Sequence, residues 1–303
     1  TWGQRNTVHL YAAENYRLMG AAFSQESSWK MRQFLKDGGT EGLFYSLIAD
    51  AAKFLQAEGV CTRQAISEFL ESREGGNYLI GSWGGILVDL GKQGHLCLGG
   101  YDPVAKAHLL YATHGWNPNL RAPGLDYAEA NTLVMLEYFR NYGPASFKDF
   151  CHWRGVSQTI ARPWLASLHA KLAVLPHKSG DLFLPETDFS AYQDWAATAA
   201  DLPALLLYRF DPMVLAHKDK SWLVNLKDYK QVWRKAAHVE GVVLQYGETI
   251  GVWKFQRKGQ RIRFLISYFR SRNKLKKREL KARLHHIAGY LGYAEWEFVE
   301  EKF

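Results

Sequence analysis

The stretch from Tyr142 to Leu184, YGPASFKDFCHWRGVSQTIARPWLASLHAKLAVLPHKSGDLFL, narrows what this chain can fold into more than any other. Gly143-Pro144 ends whatever precedes it, and Ser146 with Asp149 three residues on is a capping box that starts a helix. Arg154-Gly155 stops that helix early. Ser157 then caps a second helix, in which Ile160, Trp164, Leu165, Leu168 and Leu172 recur at helical spacing. Two short apolar runs follow, 172–175 and 182–184, and His177-Lys178-Ser179-Gly180 between them has the composition of a hairpin turn. Helix, tight turn, longer helix, β-hairpin is the order of a winged helix, whose second helix commonly lies in a DNA major groove. One local rule is broken. Pro163 falls inside the second helix, where it removes a backbone donor at a cost of about 3 kcal/mol, so a kink or a shortened first turn is expected.

The same order occurs once before. Thr62 caps a helix over 63–70, REGGNYLIG is a turn, and Ser82 opens a helix through Gln93 with Trp83, Ile86, Leu87 and Leu90 on one side. His95–Leu98 and His108–Ala112 form the hairpin, with Gly99-Gly100 in the bend. Upstream, 7–11 is β-prone and 12–19 reads as a helix, followed by helices over 24–35 and 40–58, the last capped by Thr40 and stopped by Gly59. Asp126 with Glu129 starts the helix 127–142 that leads into the second copy. The copies match in pattern, at a period of about 80 to 90 residues, which is the signature of tandem modules.

After Asp201 the texture changes to strands. LPALLLYRF, GVVLQYGETIGVWKFQRKGQRIRFLISYF and EWEFVE are β-rich, with turn signals at Tyr246-Gly247-Glu248 and Lys258-Gly259. A helix over 273–291 turns Leu275, Leu280, Leu284, Ile287 and Leu291 inward and its basic residues outward. The expected fold is therefore α+β: a remnant of a first winged helix plus connecting helices over 1–60, winged helices over 61–125 and 126–200, and a small β-barrel domain with a basic C-terminal helix over 201–303.

Charge narrows the partner. The net charge of +8 is concentrated between Lys254 and Arg283, where thirteen Lys and Arg face a single acid, Glu279; the rest of the chain is net acidic. Such a run calls for a polyanion, against the alternative of a solvated charged helix face. No apolar run approaches the roughly 20 residues of a membrane span. Three widely spaced cysteines, Cys61, Cys97 and Cys151, contain no C-x-x-C pair and support neither a zinc site nor a disulfide framework; neither metal nor cofactor is expected. Three reduced thiols point to a cytoplasmic protein, and a monomer is expected. The chain begins at Thr1, and further residues are expected upstream.

Five segments together resemble one family, the winged-helix DNA-binding proteins that include the AlkZ-like (YcaQ-like) alkylpurine and interstrand-crosslink DNA glycosylases. They are TWGQRNTVHLY, the hairpin entry 87–99, YGPASFKDFCHWRGVS, LLLYRFDPMVLAHKDKSWLV and VVLQYGETIGVWK, in the family's order along almost the whole chain. Asn6 stands where the family has glycine. The resemblance implies tandem winged helices and a β-barrel around duplex DNA, and hydrolysis of the N-glycosidic bond of N7-alkylated purines without a covalent lysine intermediate, with crosslink unhooking as an extension. Its catalytic Gln-aliphatic-Gln or Gln-aliphatic-Asp motif lies upstream of the first segment, and no glutamine of this chain matches it. Reaching the base calls for local opening of the stack.

Individual residues follow from both readings. His9 matches the family's histidine and is the possible site-lining residue, against a satisfied strand histidine. Arg154, Gln158, Thr159 and Arg162, at the start of the second helix, are placed for base-edge or phosphate contacts. Arg209, His217, Lys218 and Lys220 lie in a segment too polar for a buried strand exit, the alternative being an ion-paired corner. Arg257, Lys258, Arg261 and Arg263 flank a hairpin tip. The expected function is a DNA glycosylase acting on duplex, damaged DNA; the competing reading is a non-catalytic winged-helix DNA-binding or regulatory protein.

Overall fold

A computed structural model describes residues 1–26, 28–80, 85–117, 124–198, 202–270 and 274–301. Along the chain run α1 (Ala13–Phe23), α2 (Trp29–Lys36), α3 (Glu41–Glu58), β1 (Val60–Thr62), α4 (Arg63–Glu71), α5 (Leu87–Lys92), β2 (Leu96–Asp102), β3 (Ala107–Ala112), α6 (Thr113–Trp116) and α7 (Tyr127–Tyr142). Then come β4 (Ala145–Ser146), α8 (Phe147–Arg154), α9 (Gln158–Ser167), β5 (Leu172–Leu175), β6 (Leu182–Pro185) and α10 (Phe189–Thr198). The chain ends in β7 (Leu205–Leu207), α11 (Pro212–Leu215), α12 (Tyr229–Val232), β8 (Gly241–Gln245), β9 (Glu248–Lys258), β10 (Arg261–Tyr268), α13 (Lys277–Tyr290) and β11 (Glu295–Glu301). The fold is mixed α+β, in two compact units: Thr1–Asn141 with Arg154–Ala170, and Tyr142–Trp153 with Lys171–Phe303.

Local chemistry sets most element ends. The Thr40 hydroxyl accepts from Leu43 N and the Thr62 hydroxyl from Ala65 N, each at 3.2 Å. Gly59, at φ 71°, closes α3 with its N–H on Leu55 O. Asp126 and Glu129 form a reciprocal box, Glu129 N on Asp126 Oδ1 at 2.8 Å and Asp126 N on Glu129 Oε2 at 3.2 Å. Ser157 caps α9 through Ile160 N at 3.3 Å. That helix runs unbroken from Gln158 to Ser167 with Pro163 inside it, so its first turn is not shortened. The donor that Pro163 lacks would have met the Thr159 carbonyl; both residues are exposed, so that carbonyl is open to solvent.

In the first unit, β1, β3 and β2 make a three-stranded sheet with β3 in the centre. Met31, Phe34, Phe44, Leu47, Ile48, Leu55, Ile66, Leu70, Leu90 and Leu110 form its core. The β2–β3 turn falls at 103–106 and not at Gly99-Gly100. Those glycines lie in a register shift between Leu98 and Tyr101. A Cβ on Gly99 would lie 1.9 Å from the Tyr111 ring, so the glycine admits an aromatic rather than a turn. Residues 7–11 form no strand beyond an isolated bridge, Trp2 to Val8. α2 starts at Ser28, not Ser24, because Ser28 Oγ accepts from Lys30 N. Of the helix expected over 82–93, the described part is 87–92, and 82–84 lie outside the described residues.

In the second unit, β4, β6 and β5 repeat the order of the first sheet, with the His177–Gly180 turn joining β5 to β6. A five-stranded sheet runs β11-β10-β9-β8-β7. It has two free ends, so among the described residues the strands do not close into a barrel. β11 pairs parallel with β10, because α13 crosses over between them. One face of this sheet, through Trp253, Ile262, Phe264 and Ile266, packs on Leu280, Leu284 and Ala288 of α13. Val214, Leu223, Val224, Val232, Val242 and Val252 form a second apolar cluster.

Candidate functional site

The first unit holds a polar loop at Gln4–Tyr11. Arg5 and Asn6 are both left-handed, at φ 56° and 58°. That conformation explains Asn6: asparagine is the side-chain-bearing residue that best tolerates it where glycine would serve. Its Oδ1 also accepts from Lys92 Nζ at 3.2 Å. The turn lets His9 Nε2 reach Gln4 O at 3.2 Å and Thr7 Oγ1 at 2.8 Å. With its proton on Nε2 the ring donates to the Gln4 carbonyl, while the Thr7 hydroxyl is able to meet Nε2 in either tautomer. Burial holds the His9 pKa below the usual histidine range, with the Arg5 charge adding to it against the pull of the Gln4 bond. The result is a neutral imidazole beside a buried Gln4 whose Oε1 takes the Tyr11 hydroxyl at 2.6 Å.

Behind this loop lies a charge network that sequence reasoning missed. Glu26 takes Lys92 Nζ at 3.2 Å and Arg154, and lies 3.4 Å from the Tyr127 hydroxyl. Arg154 is 1% exposed. Its Nε donates to Asn131 Oδ1 at 2.9 Å, its Nη2 to Ala22 O at 2.6 Å, and its guanidinium lies 4.2 Å over the Phe23 ring. The expected nucleic-acid contact at Arg154 is therefore corrected: the side chain is enclosed by its own unit. Lys92 and Glu26 are 66 positions apart, and no local pattern in the sequence pairs them. Gln158, Thr159 and Arg162 are exposed on α9, while Trp164 is buried against Tyr127.

In the second unit the corner at 217–221 is built on Asp149. Asp149 Oδ2 takes Ser146 N at 3.0 Å and Ser146 Oγ at 2.6 Å, the expected capping box, and Oδ1 takes Lys218 N at 2.7 Å and Asp219 N at 3.2 Å. Burial alone would raise its pKa; these four bonds outweigh burial and hold it below the usual carboxylate range. His217 is 8% exposed, with Nε2 on Tyr142 O at 2.9 Å. Lys220 Nζ donates to Val214 O at 2.9 Å and lies 5.5 Å from the Trp233 ring centre. His217 and Lys220 thus hold the corner together rather than project from it, whereas the Lys218 side chain is exposed. Arg209 is exposed and donates to His238 Nδ1 at 3.0 Å.

The five-stranded sheet sorts the hairpin cations by face. Lys258 is opposite Arg261 and Gln256 opposite Arg263, so Lys254, Lys258, Arg261 and Arg263 share the face turned away from α13. Arg257 is opposite buried Ile262 and lies 5.8 Å from the Phe255 ring centre, on the other face. The parallel register brings Glu295 to Arg261 and Glu297 to Arg263, and both pairs are ion-paired. The arginines are not bare, then, and the acids that meet them come from a strand 34 positions later.

A polar loop presenting a neutral histidine, a module order given twice, and a cationic sheet face together define a mixed α+β protein of the kind that handles a polyanion. The comparisons with known proteins go further. The family described as "DNA glycosylase AlkZ-like" matches residues 1–290, and the chain belongs to that family of DNA glycosylases, DNA-binding repair proteins. Among solved structures it is similar to the Streptomyces sahachiroi DNA glycosylase AlkZ, with a TM-score of 0.80 and 23% identity over 99% of this chain and 81% of that one; at this identity the likeness concerns the fold. Among curated proteins, none matches.

Proposed function

We propose that this protein is a monofunctional DNA glycosylase that hydrolyses the N-glycosidic bond of N7-alkylated purines in duplex DNA. The observation that carries the reading is the family match across residues 1–290, which spans both units. The chemistry fits. A cationic alkylpurine is already a good leaving group, and its departure leaves an oxocarbenium-like sugar that needs a positioned water and polar groups, not a covalent nucleophile. His9, neutral and so with one ring nitrogen free of a proton, is suited to orient that water and take its proton. The repeated helix–strand–helix–helix–hairpin order supports tandem winged helices, over 61–125 and 126–200, and the C-terminal sheet is read as a strongly curved, barrel-like domain. Gln158, Thr159 and Arg162 on α9 in one unit, and Lys218, Arg209 and Lys258 in the other, are exposed and are read here as DNA contacts.

The test is incubation of the full chain with duplex DNA containing N7-methylguanine and with a crosslinked duplex, scoring free base and unhooked strand. Release of methylguanine above buffer, lost in His9→Ala, is the expected result. Salt-sensitive duplex binding with no base released by folded protein would replace this reading with that of a binding protein on the same scaffold.

A further inference from the structure

We propose that strand β11 is an internal competitor for the DNA backbone: its glutamates hold cations of the basic run away from phosphate and so set the affinity of the sheet face for duplex DNA. The proposal rests on the reading of that face as a duplex-binding surface.

Each of the four glutamates on β11 meets a cation. Glu295 and Glu297 take Arg261 and Arg263 from β10, Glu300 takes Lys274 from just before α13, and Glu301 lies 3.9 Å from Lys254 on β9. The parallel register produces the two arginine pairs directly, because Arg261 and Arg263 are the residues opposite Glu295 and Glu297. A carboxylate offers the guanidinium fork the same pair of acceptor oxygens that a phosphate does. At this place a glutamate is thus a stand-in for the backbone of a nucleic acid.

Edge protection alone does not account for the acids. β11 is the outer strand of its sheet, and charge on an edge strand discourages pairing with another chain. Lysine would have served that purpose and added to the cationic face; the acids subtract from it. Stability does not account for them either. The arginine side chains are 69% and 35% exposed and their glutamates 59% and 48%, the regime in which ion pairs add little to folding. What the three pairs on the face turned away from α13, those of Glu295, Glu297 and Glu301, do change is the charge a polyanion meets there. Lys258, on the same face beside Arg261, has no acidic partner among the described residues and is the cation left for phosphate.

The experiment measures equilibrium binding of the full chain to an undamaged duplex as a function of salt. Each arginine released to phosphate steepens the slope of log K against log salt by about 0.9, which tightens binding about eightfold at 0.1 M relative to 1 M salt. Glu295→Gln with Glu297→Gln is expected to steepen the slope by about 1.8, and adding Arg261→Gln with Arg263→Gln to cancel the gain. In the wild-type background the two arginine substitutions alone leave Glu295 and Glu297 uncompensated on that face and are expected to weaken binding. If Lys258→Gln weakens binding but the glutamine variant of β11 binds as wild type does, the competitor idea is overturned and the duplex-binding face stands. If Lys258→Gln has no effect, the reading of the face fails, and the proposal with it.

Discussion

Replacing Arg154 by methionine separates a buried structural cation from a DNA contact. The substitution removes the Nε bond to Asn131 Oδ1, the Nη2 bond to Ala22 O and the pair with Glu26. Removing one partner of a buried ion pair costs about 3–5 kcal/mol, because the other is left uncompensated. Here Glu26 keeps Lys92 at 3.2 Å and is itself 23% exposed, and methionine fills much of the volume. Nη1 of Arg154 is also buried without a hydrogen-bond partner among the described residues, a penalty that the substitution removes. The lower end, about 3 kcal/mol, is therefore expected. For a unit of this size that is a fall of about 6–12 °C in the melting transition of the first unit. Arg154→Lys should recover only a minor part, since a single ammonium cannot reach Asn131, Ala22 and Glu26 together as the planar fork does. The assay is calorimetry, with the salt dependence of duplex binding alongside. A transition within 2 °C of wild type, together with a salt slope reduced by about 0.9, would place Arg154 on phosphate and refute the argument from burial.

Three other substitutions test the local geometry. Asn6→Gly should leave the loop intact, whereas Asn6→Ala should cost about 1–2 kcal/mol for holding a left-handed residue without help, read by denaturant unfolding. At Asp149 the folded pKa lies below its unfolded value near 3.9, so its stabilisation is fully present above about pH 4 and is lost as pH falls through the folded value; Asp149→Asn should flatten that acid limb of the stability curve. For His9 the sign runs the other way from a paired histidine. Its lowered pKa penalises protonation, so stability is highest above about pH 6.5 and declines as pH drops from there toward the folded pKa. Nitrogen NMR of the ring near pH 7 should find the proton on Nε2; a proton on Nδ1 would contradict the hydrogen bond to Gln4.

What the sequence by itself determined here is what lies within one turn of chain. Thr40, Thr62, Ser157 and the Ser146–Asp149 and Asp126–Glu129 boxes set helix starts through bonds spanning three residues, and such bonds form wherever the chain is later placed. The His177–Gly180 turn and the inward face of α13 were legible for the same reason. The candidate site was legible in part: His9 and the exposed α9 residues came from the sequence, but the tautomer of His9 depends on the left-handed turn at Arg5 and Asn6.

Only the tertiary structure decided how the charges are used. Arg154 and Lys218 read alike in sequence, yet one is enclosed by Asn131, Ala22 and Glu26 while the other is exposed, because burial is settled by segments more than 20 positions away. Likewise the basic run looked uncompensated until the crossover through α13 set β11 parallel to β10 and brought Glu295 and Glu297 opposite two of its arginines. A local pattern records which side chains can pair; which ones do pair depends on the register between strands, and that is a property of the folded chain alone.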